Sequence, residues 1–258
     1  MRALITGAGK RLGRAMALYL AARGYDVAVH YASSKVDADA VVSEIAALGR
    51  RAVALHADLL IEAETATLVA RAAKALGGPL TVLVNNASIF EFDTLQSATR
   101  TSWDRHIESN LRAPFVLIQA FAAQVPQAIP DANGEPVAQA MVLNMIDQRV
   151  LKLTPQFMSY TLAKMGLWAL TRTAAQSLAP HVRVNAIGPG PTIIGHRQPE
   201  DHFAKQRAST VLSRGANPQD ITAALGFYLD APAVTGQLIC VDGGEHLGWK
   251  LAEIPGLD

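Results

Sequence analysis

Tyr160 and Lys164 are the residues whose types and spacing suggest chemistry first. They stand in the stretch Ser159-Tyr160-Thr161-Leu162-Ala163-Lys164. On a helix, a four-residue separation stacks two side chains on one face, one turn apart. A free phenol has a pKa of about 10 and is a sluggish acid at neutral pH. An ammonium group held beside it favours the phenolate and pulls that pKa down. A downward shift of about 2–3 units corresponds to roughly 3–4 kcal/mol, within reach of one close, partly desolvated cation. Such a pair can pass a proton at physiological pH. The same spacing also describes a surface helix with a snorkelling lysine, so its meaning depends on what the rest of the chain brings to it.

The elements around the pair alternate. Ala3-Leu4-Ile5 is a short apolar run ending at Gly7-Ala8-Gly9, and Leu12 to Leu20 then recur at helical spacing up to Gly24. Strands are expected at Asp26–Tyr31, Ala52–Leu55 and Leu80–Val84, with helices at Val36–Leu48 and Glu62–Leu76 between them. The second half continues with a long helix over Thr101–Gln124, in which Pro114 should kink or disrupt the turn. A strand follows at Met141–Ile146, then the helix carrying the pair at Gln156–Leu178, a strand at Val182–Ile187, a helix at Ile221–Leu229 and a strand at Gln237–Val241. This β-α-β alternation predicts an α/β fold: one Rossmann-type, doubly wound parallel sheet of about seven strands with helices on both faces. Residues 193–215 are polar and weakly patterned, and a loop of that length in a compact domain is expected to act as a substrate lid, with a short helix in it.

The totals bound the function. The chain has 258 residues, half of them hydrophobic and 17% charged, with a net charge of +1. That suits one large domain across residues 1–258 and gives no electrostatic footprint for nucleic acid or an anionic membrane. No apolar run approaches the roughly 20 residues of a membrane span. Cys240 is the only cysteine, so no intrachain disulfide can form. The glycine turn begins so early that no room for a signal peptide is expected, and the single cysteine fits a reducing compartment, so a cytoplasmic location is expected. The seven histidines are scattered with no ligand spacing on one element, so no metal is expected. His106, His196, His202 and His246 read as surface or loop residues. Trp103, Trp168 and Trp249 read as packing residues, with Trp249, near the C-terminus, also able to line a pocket from a neighbouring subunit.

Three further stretches give the pair its context. Thr6-Gly7-Ala8-Gly9-Lys10-Arg11-Leu12-Gly13 joins a strand to a helix, where glycines permit a sharp turn and the helix-start N–H groups face an anion. The second strand ends at His30-Tyr31-Ala32-Ser33-Ser34, with no acid to take ribose hydroxyls. With Lys10 and Arg11 nearby and two serines able to donate to a phosphate, NADP(H) is favoured over NAD(H). Asn85-Asn86-Ala87-Ser88 and Asn144-Met145-Ile146-Asp147 end the fourth and fifth strands at the carboxyl edge, where ligands bind in open α/β sheets.

Together these stretches resemble the short-chain dehydrogenase/reductase family over essentially the whole chain. The turn is similar to that family's TGxxxGxG, with Arg11 in place of the middle glycine. The resemblance implies roles residue by residue. Asn110 takes the proton-relay position on the long helix. Asp58-Leu59 makes the adenine contact. Asn86, Ala87 and Ser88 meet the cofactor. Pro189-Gly190 forms the turn over the nicotinamide, with Thr192 at the carboxamide. Gly7, Lys10, Arg11, Leu12, His30, Tyr31, Ser33 and Ser34 complete the NADP(H) site, and Lys164 also holds the nicotinamide ribose. The family's tetramers pair through the two long helices and the last helix and strand, which implies a homotetramer.

The chain departs from the family at Asp147, where most members carry serine. An ionised aspartate would repel a developing oxyanion, whereas it suits a substrate rich in N–H donors or one that needs a proton delivered. That departure, the Lys10-Arg11-Leu12-Gly13 turn, His30-Tyr31 and the Asn85–Phe90 motif resemble the pteridine reductase subgroup. There the phenylalanine stacks a pterin ring against the nicotinamide, which implies the same for Phe90. Arg11, Ser88, Phe90, Asp147 and Tyr160 would face the substrate, a small molecule. The implied reaction is NADPH-dependent reduction of a dihydropterin, with Tyr160, Lys164, Asn110 and Asp147 as the catalytic set. Two alternatives stay open: a short-chain reductase of a ketoacyl thioester, quinone or sugar, and an NADP-binding sensor without catalysis.

Overall fold

Short apolar runs bounded by glycine or proline line up as strands, and the longer periodic segments between them cross over as helices. The computed structural model describes residues 1–195 and 198–248, so His196 and Trp249 lie outside the described residues. Seven parallel strands form one sheet: β1 (Arg2–Ile5), β2 (Asp26–Tyr31), β3 (Ala52–His56), β4 (Val82–Asn85), β5 (Ala140–Met145), β6 (Val182–Pro189) and β7 (Leu238–Val241). Their order across the sheet is β3-β2-β1-β4-β5-β6-β7. The chain winds outward from β1 on one side and from β4 on the other. Their loops therefore part at the carboxyl edge and leave a crevice there.

Side chains alternate along each strand, so each strand feeds both layers. Ala3 and Ile5 point into a core with α1 (Arg11–Ala22), α2 (Lys35–Ala47) and α8 (Pro218–Asp230). Leu4 points into the opposite core with α3 (Glu62–Leu76), α5 (Ala113–Ala122) and α6 (Met158–Leu178). Strands buried on both faces explain why the runs read as continuously apolar.

The long helix expected over Thr101–Gln124 is divided. It runs as α4 (Arg100–Ile107), a π-helical turn over Glu108–Arg112, and then α5. Pro114 sits in the first turn of α5, where a missing N–H is tolerated. An α-helix would pair the carbonyl of Asn110 with the N–H of residue 114, which proline lacks, and the backbone widens by one π turn just before it. Asn110 is therefore held in a local bulge on the face toward α6. The expected lid contains a helix, α7 (Glu200–Ala208).

The glycine turn packs with no slack. A Cβ on Gly13 would stand 2.2 Å from the Gly7 carbonyl oxygen and 2.7 Å from Asn86 Nδ2. Gly13→Ala is therefore expected to destabilise the fold by about 1–3 kcal/mol, as overpacking does. Urea unfolding checks this, and an unchanged midpoint would show that the turn can yield.

Candidate active site

The crevice between the loops of β1 and β4 is a groove of about 470 Å³, lined by Gly7, Lys10 to Gly13, Tyr31 to Ser34, Asn86 to Ser88 and Gly190 to Ile193. Gln198, Phe203 and Gln206 reach it from the segment 193–215. Its floor is braced from inside. Thr6 Oγ1 accepts from the N–H groups of Asn86 and Ala87, both at 2.9 Å. Asn86 Nδ2 donates back to the carbonyls of Thr6 (2.8 Å) and Gly7 (3.2 Å). Gly7 adopts φ +62°, the left-handed conformation that glycine takes at no steric cost.

His30 does not face the groove. It is buried, and both ring nitrogens are engaged by backbone: Nδ1 accepts from Gly7 N at 3.0 Å and Nε2 donates to the Ala57 carbonyl at 3.0 Å. The Gly7 N–H can only donate, which sets the tautomer. Burial pushes the imidazole pKa down to about 4, so it stays neutral. The expectation of a cofactor contact becomes a strut that holds the glycine turn.

The residues expected to meet a phosphate stand at one end of the groove. Ser33 and Ser34 line it with no acid among them. Lys10 pairs with Asp37 at 2.9 Å on the surface. Arg11 takes φ +53° where the family has glycine, a conformation that costs a residue with a Cβ about 1–2 kcal/mol. Its guanidinium donates to the carbonyls of Ile193 (2.8 Å) and Ile194 (2.6 Å), which ties the turn to the start of the segment 193–215. Thr192 is buried and donates to the Gly190 carbonyl at 3.0 Å. Pro189 ends β6 just before that turn. Asp58 and Leu59 follow β3 beyond this lining. Asp58 Oδ1 accepts from Leu60 N at 3.0 Å, and Leu59 is buried.

The residues present fit a dinucleotide. A Cβ at Gly190 would meet Asp242 at 2.6–2.7 Å, so backbone alone can form that wall. The glycine cradle, the helix start and the serine-lined, acid-free end supply what a phosphorylated nucleotide needs.

Asp147, Tyr160 and Lys164 converge at the carboxyl ends of β5 and α6's first turns. Tyr160 donates from its hydroxyl to Asp147 Oδ2 at 2.9 Å. Asp147 Oδ1 accepts from Arg149 N at 2.8 Å, so this carboxylate also caps a short helical turn. Lys164 is buried and donates to the Met145 carbonyl at 2.8 Å, with its Nζ 5.6 Å from the centre of the Tyr160 ring. Burial lowers its pKa to about 8, against the opposing pull of Asp147. The expectation that Lys164 lowers the Tyr160 pKa is corrected here. Burial first, then the Asp147 charge in contact with the hydroxyl, pushes Tyr160 well above its ordinary value, while Arg149 and the Ser88 hydroxyl act the other way. Burial also raises the Asp147 pKa, against the lowering pull of the hydrogen bonds from Arg149 N and the Tyr160 hydroxyl. Asn110 is buried, and its amide clamps the backbone of Ile89: Oδ1 accepts from Ile89 N (2.9 Å) and Nδ2 donates to Ile89 O (2.8 Å).

Beside this cluster stands an aromatic wall. Phe90 is 54% exposed, stacks on Phe157 with ring centres 4.2 Å apart, and meets the Tyr160 ring edge-on at 4.7 Å. Phe157 immediately precedes α6 at φ +56°. Sequence reasoning missed Phe157, which only its place three residues before Tyr160 marks. It also misplaced His106, which is fully buried against Ser159, and overlooked Asp93 on the other side of that serine. Trp103 is 42% exposed rather than packed. Among the described residues, no group of three or more His, Cys, Asp or Glu side chains could hold a metal ion, and no helix is long and apolar enough to cross a membrane.

A doubly wound sheet, a glycine cradle at its switch point and a buried tyrosine–lysine pair define a nucleotide-dependent oxidoreductase. The pattern of the short chain dehydrogenase family matches residues 1–203. The chain is 33% identical to the 3-oxoacyl-(acyl-carrier-protein) reductase FabG of Staphylococcus aureus over 95% of its length and 98% of that protein's. It is similar in structure to FolM alternative dihydrofolate reductase 1 of Brucella suis, solved in complex with NADP. That similarity has a TM-score of 0.89 and 38% identity and covers 97% of this chain and 96% of that one. A short chain dehydrogenase from Burkholderia cenocepacia in complex with NADP matches with a TM-score of 0.84 and 31% identity over 95% of this chain and 97% of that one. The protein belongs to the short-chain dehydrogenase family and is an oxidoreductase.

The sign of the Asp147–Tyr160 coupling can be tested. A phenolate beside a carboxylate is disfavoured, so Asp147→Asn should move the Tyr160 ionisation to lower pH. The limb of the pH–rate profile that disappears in Tyr160→Phe reports it. A limb that stays in place or moves to higher pH would remove Asp147 from control of that proton.

Proposed function

We propose that the protein is an NADPH-dependent reductase of a dihydropterin. The cofactor is NADP(H), the dinucleotide held by its solved neighbours and suited to the acid-free, serine-lined end of the groove. Bound NADPH supplies a hydride to the carbon of a ring C=N bond. Tyr160 supplies a proton to the adjacent nitrogen. Lys164 lies one turn further along α6, buried beneath the same site, where it would hold the nicotinamide ribose. The Asn110 amide is occupied by Ile89, so its main-chain carbonyl, which Pro114 leaves without an α-helical donor, would hold the water that links Lys164 to solvent.

One observation carries the substrate class: a carboxylate, Asp147, touches the Tyr160 hydroxyl beside the Phe90–Phe157 wall. A planar ring lies flat against Phe90, and its N–H groups donate to Asp147. When the substrate is an oxidised pterin, the raised pKa of Asp147 lets it deliver a proton. With the dinucleotide bound, Phe90 would hold a flat ring in one orientation for hydride transfer, and orientation supplies a large part of a rate. The structural likeness to an alternative dihydrofolate reductase supports this assignment. The 33% identity to a 3-oxoacyl thioester reductase supports a second one, in which Asp147 would face a ketone. Exposed Phe115, Leu162 and Met165 on α5 and α6 suit pairing of copies through those helices into a tetramer, and light scattering measures that mass.

NADPH oxidation with a dihydropterin, set beside a 3-oxoacyl thioester under the same conditions, separates the two substrates. Turnover of the dihydropterin alone is expected, and turnover of the thioester alone would overturn the assignment. Tyr160→Phe is expected to lose at least about 100-fold in kcat, the scale of general acid catalysis, while NADPH still binds. Retained turnover would take Tyr160 out of the mechanism.

A further inference from the structure

We propose that His106 is a positioning residue: one buried imidazole ties the segment carrying Phe90 to the start of the helix carrying Tyr160, and so sets the spacing between the substrate wall and the proton donor. This rests on Phe90 and Tyr160 bounding the substrate site.

The segment from Ser88 to Asp93 has no regular structure of its own. It is held from outside at alternate residues. Asn110 clamps Ile89 through both of its amide atoms, and His106 Nε2 accepts from Glu91 N at 3.1 Å. The residue between them, Phe90, meets the rings of Phe157 and Tyr160. The other face of the imidazole reaches α6, with Nδ1 2.7 Å from Ser159 Oγ. Ser159 Oγ in turn donates to Asp93 Oδ2.

The direction of every proton in this chain is determined. A backbone N–H only donates, so Nε2 of His106 is the acceptor and Nδ1 carries the hydrogen. Nδ1 then donates to Ser159 Oγ, whose own hydrogen goes to Asp93. Only the neutral Nδ1–H tautomer satisfies both ends, and His106 and Ser159 are 0% exposed, Asp93 2%. A buried polar chain satisfied at each link is rigid, and a broken link is costly.

Asp93 completes the tether. α6 has no side-chain cap of its own and begins directly after Phe157 at φ +56°. Its leading N–H groups are taken instead by Asp93, 66 residues upstream: Ser159 N donates to Oδ1 at 3.2 Å, and Phe157 N donates to the Asp93 carbonyl at 2.8 Å. His106 and Asp93 thus grip Ser159 from two sides, one residue before Tyr160. Loss of the imidazole leaves the helix capped by Asp93 but cuts the direct link from Glu91 to Ser159. The distance from Phe90 to the Tyr160 hydroxyl then loses its definition, although neither residue has changed.

The test is a variant series read by steady-state kinetics and by the deuterium isotope effect with NADPH labelled at the transferred position. His106→Leu is expected to lower kcat by up to about 100-fold, as small misplacements do. NADPH affinity should stay at the wild-type value and the isotope effect should rise, because hydride transfer becomes the slow step. His106→Asn places an amide near the Nδ1 position and keeps the Ser159 arm. His106→Gln reaches the Nε2 position and keeps the Glu91 arm. Each should retain more activity than leucine. If His106→Leu does not fold, Ser159→Ala cuts the same link while leaving the Asp93 backbone cap in place, and should show the same kinetic pattern. A leucine variant with wild-type kcat and isotope effect overturns the proposal. So does a loss of kcat that follows NADPH affinity and the unfolding midpoint across the series, since that marks a structural role only. Each ratio is taken against wild type on whichever substrate wild type turns over, so failure of the pterin assignment shows in wild type alone.

Discussion

A carboxylate and a phenol in contact, both largely withdrawn from water, form the interaction on which the site depends. Asp147 comes from the end of β5 and Tyr160 from the first turn of α6, and the hydroxyl bridges them at 2.9 Å. In water such a bond contributes little. Inside the protein the low dielectric strengthens it and raises the cost of ionising either partner. Burial accordingly moves both pKa values up, and the hydroxyl proton stays on Tyr160 and is donated to the carboxylate. A serine at position 147 would leave Tyr160 a different acid serving a different acceptor. The contact that shifts the Tyr160 ionisation is therefore particular to the carboxylate at position 147.

The surrounding fold keeps that contact in register with the nucleotide groove. Parallel pairing of β4 with β5 sets Asn85 opposite Asn144, and their amides bond at 2.8 Å. That places the Asn86 brace and the Asp147 carboxylate at one edge. Across the crevice, His30, Thr6 and Asn86 hold the glycine turn from beneath, so its upper face remains backbone. Arg11 joins this rigid turn to Ile193 and Ile194 through their two carbonyls. The backbone strain at Arg11 is retained where the turn, the groove and the segment after Thr192 meet, a pattern common at functional sites.

Local order along the chain was legible wherever apolar periodicity or a glycine stop set an element. α3 runs over Glu62–Leu76 as expected, and β2 over Asp26–Tyr31. The division of the long helix was legible only as a disturbance at Pro114, because the choice of a π turn depends on how Asn110 packs against α6 and Ile89. Tyr160, Lys164 and Asp147 were legible from spacing, and Phe90 from a motif. The burial of His106 leaves no local mark, because a histidine flanked by arginine and isoleucine looks like a surface residue in sequence. Its partners lie at Glu91 and Ser159, 15 and 53 residues away.

The sequence by itself determined the α/β alternation, the glycine turn, the acid-free end of β2 and the set of side chains available for chemistry. These follow from local patterning, which each segment carries alone. The tertiary structure decided which charges meet. Spacing along the chain points to Lys164 as the group that acidifies Tyr160, yet its ammonium is turned to the Met145 carbonyl, and Asp147 takes the hydroxyl. It also turned His30 from a ligand contact into a strut. Electrostatic coupling and burial depend on distances between segments far apart in the chain, and those distances exist only once the sheet and its crossovers have formed.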